Sequence, residues 1–288
     1  MENDKEYLSL DSSENVRVFD ELPFWSAPFG LRLFEQIRLK KYIVALDIGF
    51  GTGFPLTELA MRLGKSCTVY GIDPWEAAIV RTKEKLKHYG ITNVKIIRGV
   101  AEDIPLEDGS VDLIVSNNGI NNVSDLNRVL SECSRIMKVN GQFVLSVNLD
   151  TTMVEFYSVM EQVLTDLGMK KEINNMKKHI YSKRRPLPEL TTLLKQYGFA
   201  VRCMVEDQFD YQFTDGTTLL QHFFIRLAFL PSWKSIVPED RQDEVFGKIE
   251  TRLNEQADHT GQCKLSVPFV IINCEKSETY SPCLKILI

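Results

Sequence analysis

No stretch of this 288-residue chain approaches the roughly 18 apolar residues that a membrane-spanning helix needs, and the opening Met1-Glu2-Asn3-Asp4-Lys5-Glu6 is acidic with no apolar run behind it. The sequence therefore reads as having no transmembrane segment and no leader, and its expected location is cytoplasmic. Cys67, Cys133, Cys203, Cys263, Cys274 and Cys283 stand apart with no C-x-x-C pair. A chain of this size folds without disulfides, so these read as buried thiols or surface bystanders. A basic excess is also missing. The net charge of −5 and pI near 5.6 argue against a nucleic-acid partner, which would call for a basic face. No Ser-His-Asp set, metal cluster, internal repeat or low-complexity tract is visible. With 44% hydrophobic and 25% charged residues, the chain is one large globular domain, or one domain with insertions.

Ile43-Val44-Ala45-Leu46-Asp47-Ile48 is a short apolar run, followed by Gly49, Gly51 and Gly53 and then by Leu56, Leu59, Ala60 and Leu63 at helical spacing. That pattern predicts strand, glycine turn, helix, with Pro55 in the first turn and Gly64 just past the end. Glycines serve where φ must be positive or where a ligand approaches closer than a Cβ allows, and the helix start behind them offers unpaired N–H groups. A dinucleotide loop wants G-x-G-x-x-G, but here Phe54 stands where the last glycine should be. By itself the turn also fits an ordinary βα connection.

A second strand, Cys67 to Ile72, ends at Asp73, 20 residues beyond Gly53. In nucleoside-binding α/β folds a carboxylate at that distance meets a ribose, whose two hydroxyls can donate to its two oxygens. The other use of Asp73 is as N-cap of a helix over 75–88, introduced by Pro74. Trp75 could lie on a base or in the core. Further strands are expected at 94–97, 111–116, 142–147, 199–205 and 264–274. Helices are expected at 28–38, 126–137, 153–167 and 188–197. Asn117 and Asn118 open an amide-rich loop after the fourth strand, at the edge where open α/β sheets bind ligands.

Four segments in order carry a resemblance: Asp47-Ile48-Gly49-Phe50-Gly51-Thr52-Gly53, Asp73, the run Gly99-Val100-Ala101-Glu102-Asp103-Ile104-Pro105-Leu106 with Glu107-Asp108-Gly109-Ser110-Val111-Asp112, and Glu132-Cys133-Ser134-Arg135-Ile136-Met137-Lys138-Val139-Asn140-Gly141. Together, over about residues 42–149, they resemble the class I S-adenosylmethionine (SAM) methyltransferases of the UbiE-like, methyltransferase type 11 branch. The resemblance implies a Rossmann-like α/β fold, a seven-stranded three-layer sandwich, with helical additions over the carboxyl edge and an antiparallel last strand. It implies SAM as cofactor, held by Asp47, Gly49, Phe50, Gly51, Gly53, Asp73, Pro74, Trp75, Ala101, Glu102, Asn117 and Asn118. Val100 stands where the family commonly has an Asp that accepts from adenine, so Glu102, Asp103 or the backbone at Ala101 must read the base. The segment before the glycine turn often folds over the cofactor, which makes Phe24 and Trp25 lid candidates.

The expected organisation is an N-terminal lid segment (1–40), a SAM-binding core (41–150) and a C-terminal part (151–288) whose insertion at about 214–262 roofs the substrate. Residues 1–15 are expected to be polar and poorly ordered. Residues 170–185 read as a basic connector, a solvated face that could also attract an acidic substrate or lie on a membrane. Within the insertion a helix over 217–230 is rich in apolar residues. With Phe209, Tyr211, Phe213, Phe223, Phe224 and Trp233 it would wall a pocket for an aromatic or lipid-like small-molecule acceptor, or else form a second core or a homodimer contact. His222 is the candidate general base, against its reading as an ordinary core or surface histidine. The expected activity is SAM-dependent methyl transfer. The alternatives are a non-catalytic SAM-binding protein and a nicotinamide-dependent oxidoreductase.

Overall fold

Apolar residues in the run before the glycines are buried on both faces, which makes it a central strand. In the computed structural model, which describes residues 12–20 and 24–278, the chain begins with α1 (Ser13–Asp20), α2 (Ser26–Gln36), β1 (Val44–Ile48), α3 (Leu56–Leu63), β2 (Thr68–Asp73), α4 (Glu76–His88), β3 (Val94–Arg98) and β4 (Val111–Asn117). It continues through α5 (Leu126–Ile136), β5 (Met137–Asn148), α6 (Val154–Asp166), α7 (Lys170–Lys183), α8 (Leu187–Gln196) and β6 (Phe199–Phe213). The last elements are α9 (Gly216–Gln221), α10 (Phe223–Ala228), α11 (Leu230–Lys234), α12 (Gln242–Thr260) and β7 (Cys263–Lys276). Residues 1–11, which include most of the segment expected to be poorly ordered, and Cys283 lie outside the described residues. No helix of the described residues is long and apolar enough to cross a membrane.

The seven strands form one sheet in the order β3-β2-β1-β4-β5-β7-β6, the Rossmann-like arrangement expected of the chain, with flanking helices. β1 pairs parallel with β2 and β4, β2 with β3, and β4 with β5. Direction reverses at β7. Gln142 bonds Asn273 while Leu149 bonds Pro268, and on its other side Arg202 meets Glu275 while Asp210 meets Lys264. Residue numbers rise on one strand as they fall on the other, so β7 is antiparallel to both neighbours. The chain leaves β1 toward β2 and β3, then returns to β4 on the opposite side. The switch point therefore lies between the carboxyl ends of β1 and β4, where such sheets bind ligands.

The chain divides into two units that cut across the expected linear segments. Among the described residues, a sheet unit comprises 24–147, 186–206 and 270–278, and a helical unit comprises 12–20, 148–185 and 207–269. Residues 24–40 group with the strands. In the sheet unit, Arg135 donates to the Ile104 and Leu106 carbonyls and pairs with Glu132 and Asp108, while Glu132 accepts the Ile104 N–H at 2.9 Å. This pair, part of the motif that carried the resemblance, fastens the loop before β4.

Four element expectations needed correction. Residues 170–185 are mostly helix α7, whose short stripe of Ile173, Met176 and Ile180 is masked in sequence by the surrounding lysines. β5 starts at Met137 and not at Gln142, because Asn140 takes φ 62° inside the strand, where pairing with β4 shifts register. β6 runs on to Phe213, since Phe209, Tyr211 and Phe213 alternate with polar residues at strand period. The expected helix over 217–230 breaks at His222 (ψ 130°) and Phe229 (φ −121°). Three short helices turn Leu219, Phe224, Ile225, Leu227 and Trp233 inward together, which one straight helix would distribute around its axis.

Candidate functional site

Gly49, Gly51 and Gly53 have φ of 75°, 52° and 109°, so the turn after β1 needs glycine conformations throughout. A Cβ on Gly49 would stand 2.7 Å from the Cα of Gly119, which brings the ends of β1 and β4 together at the switch point. A Cβ on Gly51 would enter open space. The loop is fixed from behind by α4, where Thr82 Oγ1 donates to the Gly51 carbonyl at 3.1 Å and Lys85 Nζ to the Thr52 carbonyl at 2.8 Å. Sequence reasoning missed Thr82, Lys85 and Gly119. The first two sit a helical turn apart on an otherwise ordinary charged helix, and Gly119 was hidden among asparagines.

Two carboxylates lie beneath this loop. Asp73 Oδ2 accepts the Gly51 N–H and Oδ1 the Trp75 N–H, each at 2.8 Å, so Asp73 anchors the loop and holds Trp75, the N-cap residue of α4, instead of capping the helix itself. A carboxylate has about four acceptor positions, so capacity remains on both oxygens. Burial raises its pKa, opposed by these amides of Trp75 and Gly51. Asp47 is fully buried, and neither of its oxygens has a hydrogen-bond partner. Burial first, then the charge of Asp73, pushes its carboxyl well above the usual range. The Leu56 N–H at the head of α3 lowers it somewhat, though without full hydrogen-bond geometry.

The amide loop is built on two serines. Ser116 Oγ donates to the Ile48 carbonyl and accepts the Ile120 N–H, while Ser146 Oγ accepts the Asn118 N–H and donates to Asn117 Oδ1. Asn117 ends β4 instead of following it, and its Nδ2 donates to the Ser26 carbonyl at 3.1 Å. Both ends of its side chain are therefore used in tying β4 to β5 and to the head of α2. Trp25, a lid candidate, directly precedes Ser26 in the chain and packs its ring edge-on to Phe29. Asn118 adopts left-handed backbone at φ 59° and leaves Nδ2 buried without a partner.

Other expected site residues fall differently. The Phe50 ring is fully buried against Gly71, so only its backbone faces the loop. Glu102 Oε1 accepts the Ser124 and Asp125 N–H groups, and its carbonyl accepts Arg128 Nε at 2.7 Å, so one oxygen of its carboxylate holds the chain entering α5. Ala101 is buried, Val100 beside it is 47% exposed, Pro74 is exposed and Trp75 is half-buried. Phe24 is 74% exposed. In the helical unit Phe223 is half-buried and His222 Nδ1 has no hydrogen-bond partner. Trp233 corrects the sequence reading. It is 0% exposed, stacked 3.8 Å from Phe156, and its Nε1 donates to Tyr157 Oη at 3.0 Å, so it has no surface left for an acceptor.

A family model for a methyltransferase domain matches residues 46–145. The demethylmenaquinone methyltransferase of Bacillus subtilis (strain 168) is 28% identical over 154 residues, which cover 54% of this chain and 63% of that protein. Its counterpart in Staphylococcus aureus (strain MRSA252) is 31% identical over 134 residues, covering 46% of this chain and 53% of that protein. The chain thus spans between about half and under two thirds of these curated relatives. Among solved structures, YcgJ from Bacillus subtilis matches with a TM-score of 0.56 at 18% identity, over 87% of this chain and 98% of that one. Geranyl diphosphate methyltransferase in complex with SAM matches at 0.54 and 17% identity, over 92% and 90%. At such identities the likeness is one of fold.

Proposed function

We propose that the protein transfers the methyl group of SAM to a small-molecule acceptor, aromatic or lipid-like in body, on the premise that residues 46–145, which match the model of a methyltransferase domain, are such a domain. The observation that carries this reading is the Asp73–Gly51 bond beside open space at Gly51. It holds a carboxylate with spare acceptor capacity against a loop whose glycine admits close approach. The buried, unpartnered oxygens of Asp47 and the buried amide of Asn118 fit a ligand that brings both a cation and acceptors, as an amino-acid group does.

In this reading Asp73 holds the ribose diol, the glycine loop with Asp47 and Asn118 holds the amino-acid end, and Trp75 and Ala101 flank the base. Glu102, whose Oε1 is bonded to Ser124 and Asp125, keeps Oε2 as the proposed acceptor for the base. When bound, SAM supplies an electrophilic methyl on a sulfonium, so the protein's share is alignment and exclusion of water. Phe24 and Trp25, which belong to the same unit as the glycine loop, are the proposed acceptor contacts. The quinone-type substrate in the names of the curated relatives makes a hydroxylated aromatic ring the first acceptor to try.

The test is retention of radiolabelled SAM against NAD, followed by release of S-adenosylhomocysteine with a demethylated quinol acceptor. Selective SAM retention with acceptor-dependent release is expected. NAD retention would favour an oxidoreductase, and SAM retention without release to any hydroxylated aromatic or lipid-like acceptor would leave a SAM-binding protein. The comparisons support neither alternative.

A further inference from the structure

Arg184, just past the end of α7, is only 7% exposed. Its Nη1 donates to the Thr152 carbonyl at 3.1 Å, and its guanidinium carbon stands 5.6 Å from the centre of the Tyr157 ring. No carboxylate of the described residues pairs with it within 4.0 Å. Lys183 and Arg185 flank it in the chain, which adds to the positive potential. A charge taken out of water needs a counter-charge or a full set of hydrogen bonds. One neutral carbonyl and an aromatic face offset only part of that cost.

Two neighbours have hydrogen-bonding capacity to spare. Tyr157 Oη accepts from Trp233 Nε1 at 3.0 Å, which fixes the phenol while its own proton is donated to no described residue. The His179 ring lies 6.4 Å from the Tyr157 ring. Burial, and then the charges of Arg184 and Lys183, hold its pKa down at about 4, so at pH 7 it is neutral, with one N–H to give. All of these residues belong to the helical unit.

We propose that Arg184, Tyr157 and His179 form an oxyanion-binding site within the helical unit, which takes the carboxylate or phosphate group of a small-molecule acid. The unspent edge of the guanidinium fork matches two oxygens of either group, and the phenol adds a third donor from a fixed position. The proposal uses residues of the helical unit alone and does not rest on the SAM reading.

The test titrates the full chain, without SAM, with sodium benzoate and separately with inorganic phosphate, at ionic strength held constant with sodium chloride. Thermal unfolding and tryptophan emission are followed, the latter because Trp233 is bonded to Tyr157. The expected result is a saturable rise in Tm with a change in emission, and half-saturation at least tenfold weaker in R184M. A response to benzoate alone assigns a carboxylate, to phosphate alone a phosphate ester, and to both the shared oxyanion chemistry. A Tm that follows ionic strength only, or an anion response kept in full by R184M, overturns the proposal. So does an R184M whose Tm falls by the same amount at every anion concentration, since that marks a purely structural arginine. Should R184M not fold, Y157F takes its place: several-fold weaker half-saturation supports the site, and unchanged half-saturation overturns it.

Discussion

At the scale of single residues the candidate site turns on two buried carboxylates with different duties. Asp73 spends one acceptor position on each oxygen in holding Gly51 and Trp75. Asp73→Ala should therefore weaken SAM binding by about 1.5–3 kcal/mol, more than tenfold, and also loosen the loop. Calorimetry of the folded variant checks this, and an unchanged Kd would mean that the ribose is held elsewhere. Asp47 has no such compensation. Its folded-state pKa is raised, so between the unfolded and folded values the native state binds the extra proton, and stability falls as pH rises through that window. Asp47→Asn should flatten much of that slope and stabilise the SAM-free protein by about 1–3 kcal/mol at pH 7. Urea unfolding at several pH values decides it, and an identical slope in the variant rules the account out. Gly51 combines φ 52° with open space, so Gly51→Val adds backbone strain and fills the approach route, and SAM binding should be lost in a protein that still folds. Retained affinity would remove the glycine loop from the site.

At the scale of elements, α4 and the aromatic helices behave as supports. Thr82→Val removes one bond from α4 to the loop and should weaken SAM affinity by about 0.5–1.5 kcal/mol. An equal loss of overall stability with unchanged affinity would show that the bond supports only the fold. Trp233→Ala should cost about 3–5 kcal/mol of stability, because it opens a cavity beside Phe156 and Tyr157 and takes from the buried Tyr157 Oη its hydrogen-bond donor. Chemical denaturation measures it. This replaces the sequence expectation that Trp233 lines an acceptor pocket. Sequence showed that the insertion is aromatic and apolar, but not which rings face one another. That depended on the breaks at His222 and Phe229, which no local propensity announces.

For the whole molecule, the residues proposed to hold SAM all lie in the sheet unit. SAM at a hundred times its Kd should stabilise the protein by about 2.7 kcal/mol, with hydrogen-exchange protection concentrated over residues 47–53 and 73–75. Protection confined to the helical unit would contradict the site. The sequence by itself determined the strand, glycine turn and carboxylate unit, the succession of the first five strands along the chain, and the resemblance to a methyltransferase family. These are set by local rules: glycine where φ is positive, apolar runs where a strand is buried on both faces, and motif spacing along one βα repeat. Only the tertiary structure decided that Asp73 anchors Gly51, that Glu102 holds the chain entering α5, that Asn117 fastens the head of α2, and that Trp233 is core. Each of those roles depends on a partner tens of residues away, brought close by strand order and helix breaks. A carboxylate or amide has the same letter in the sequence whether its hydrogen bonds go to a ligand or to the chain's own backbone.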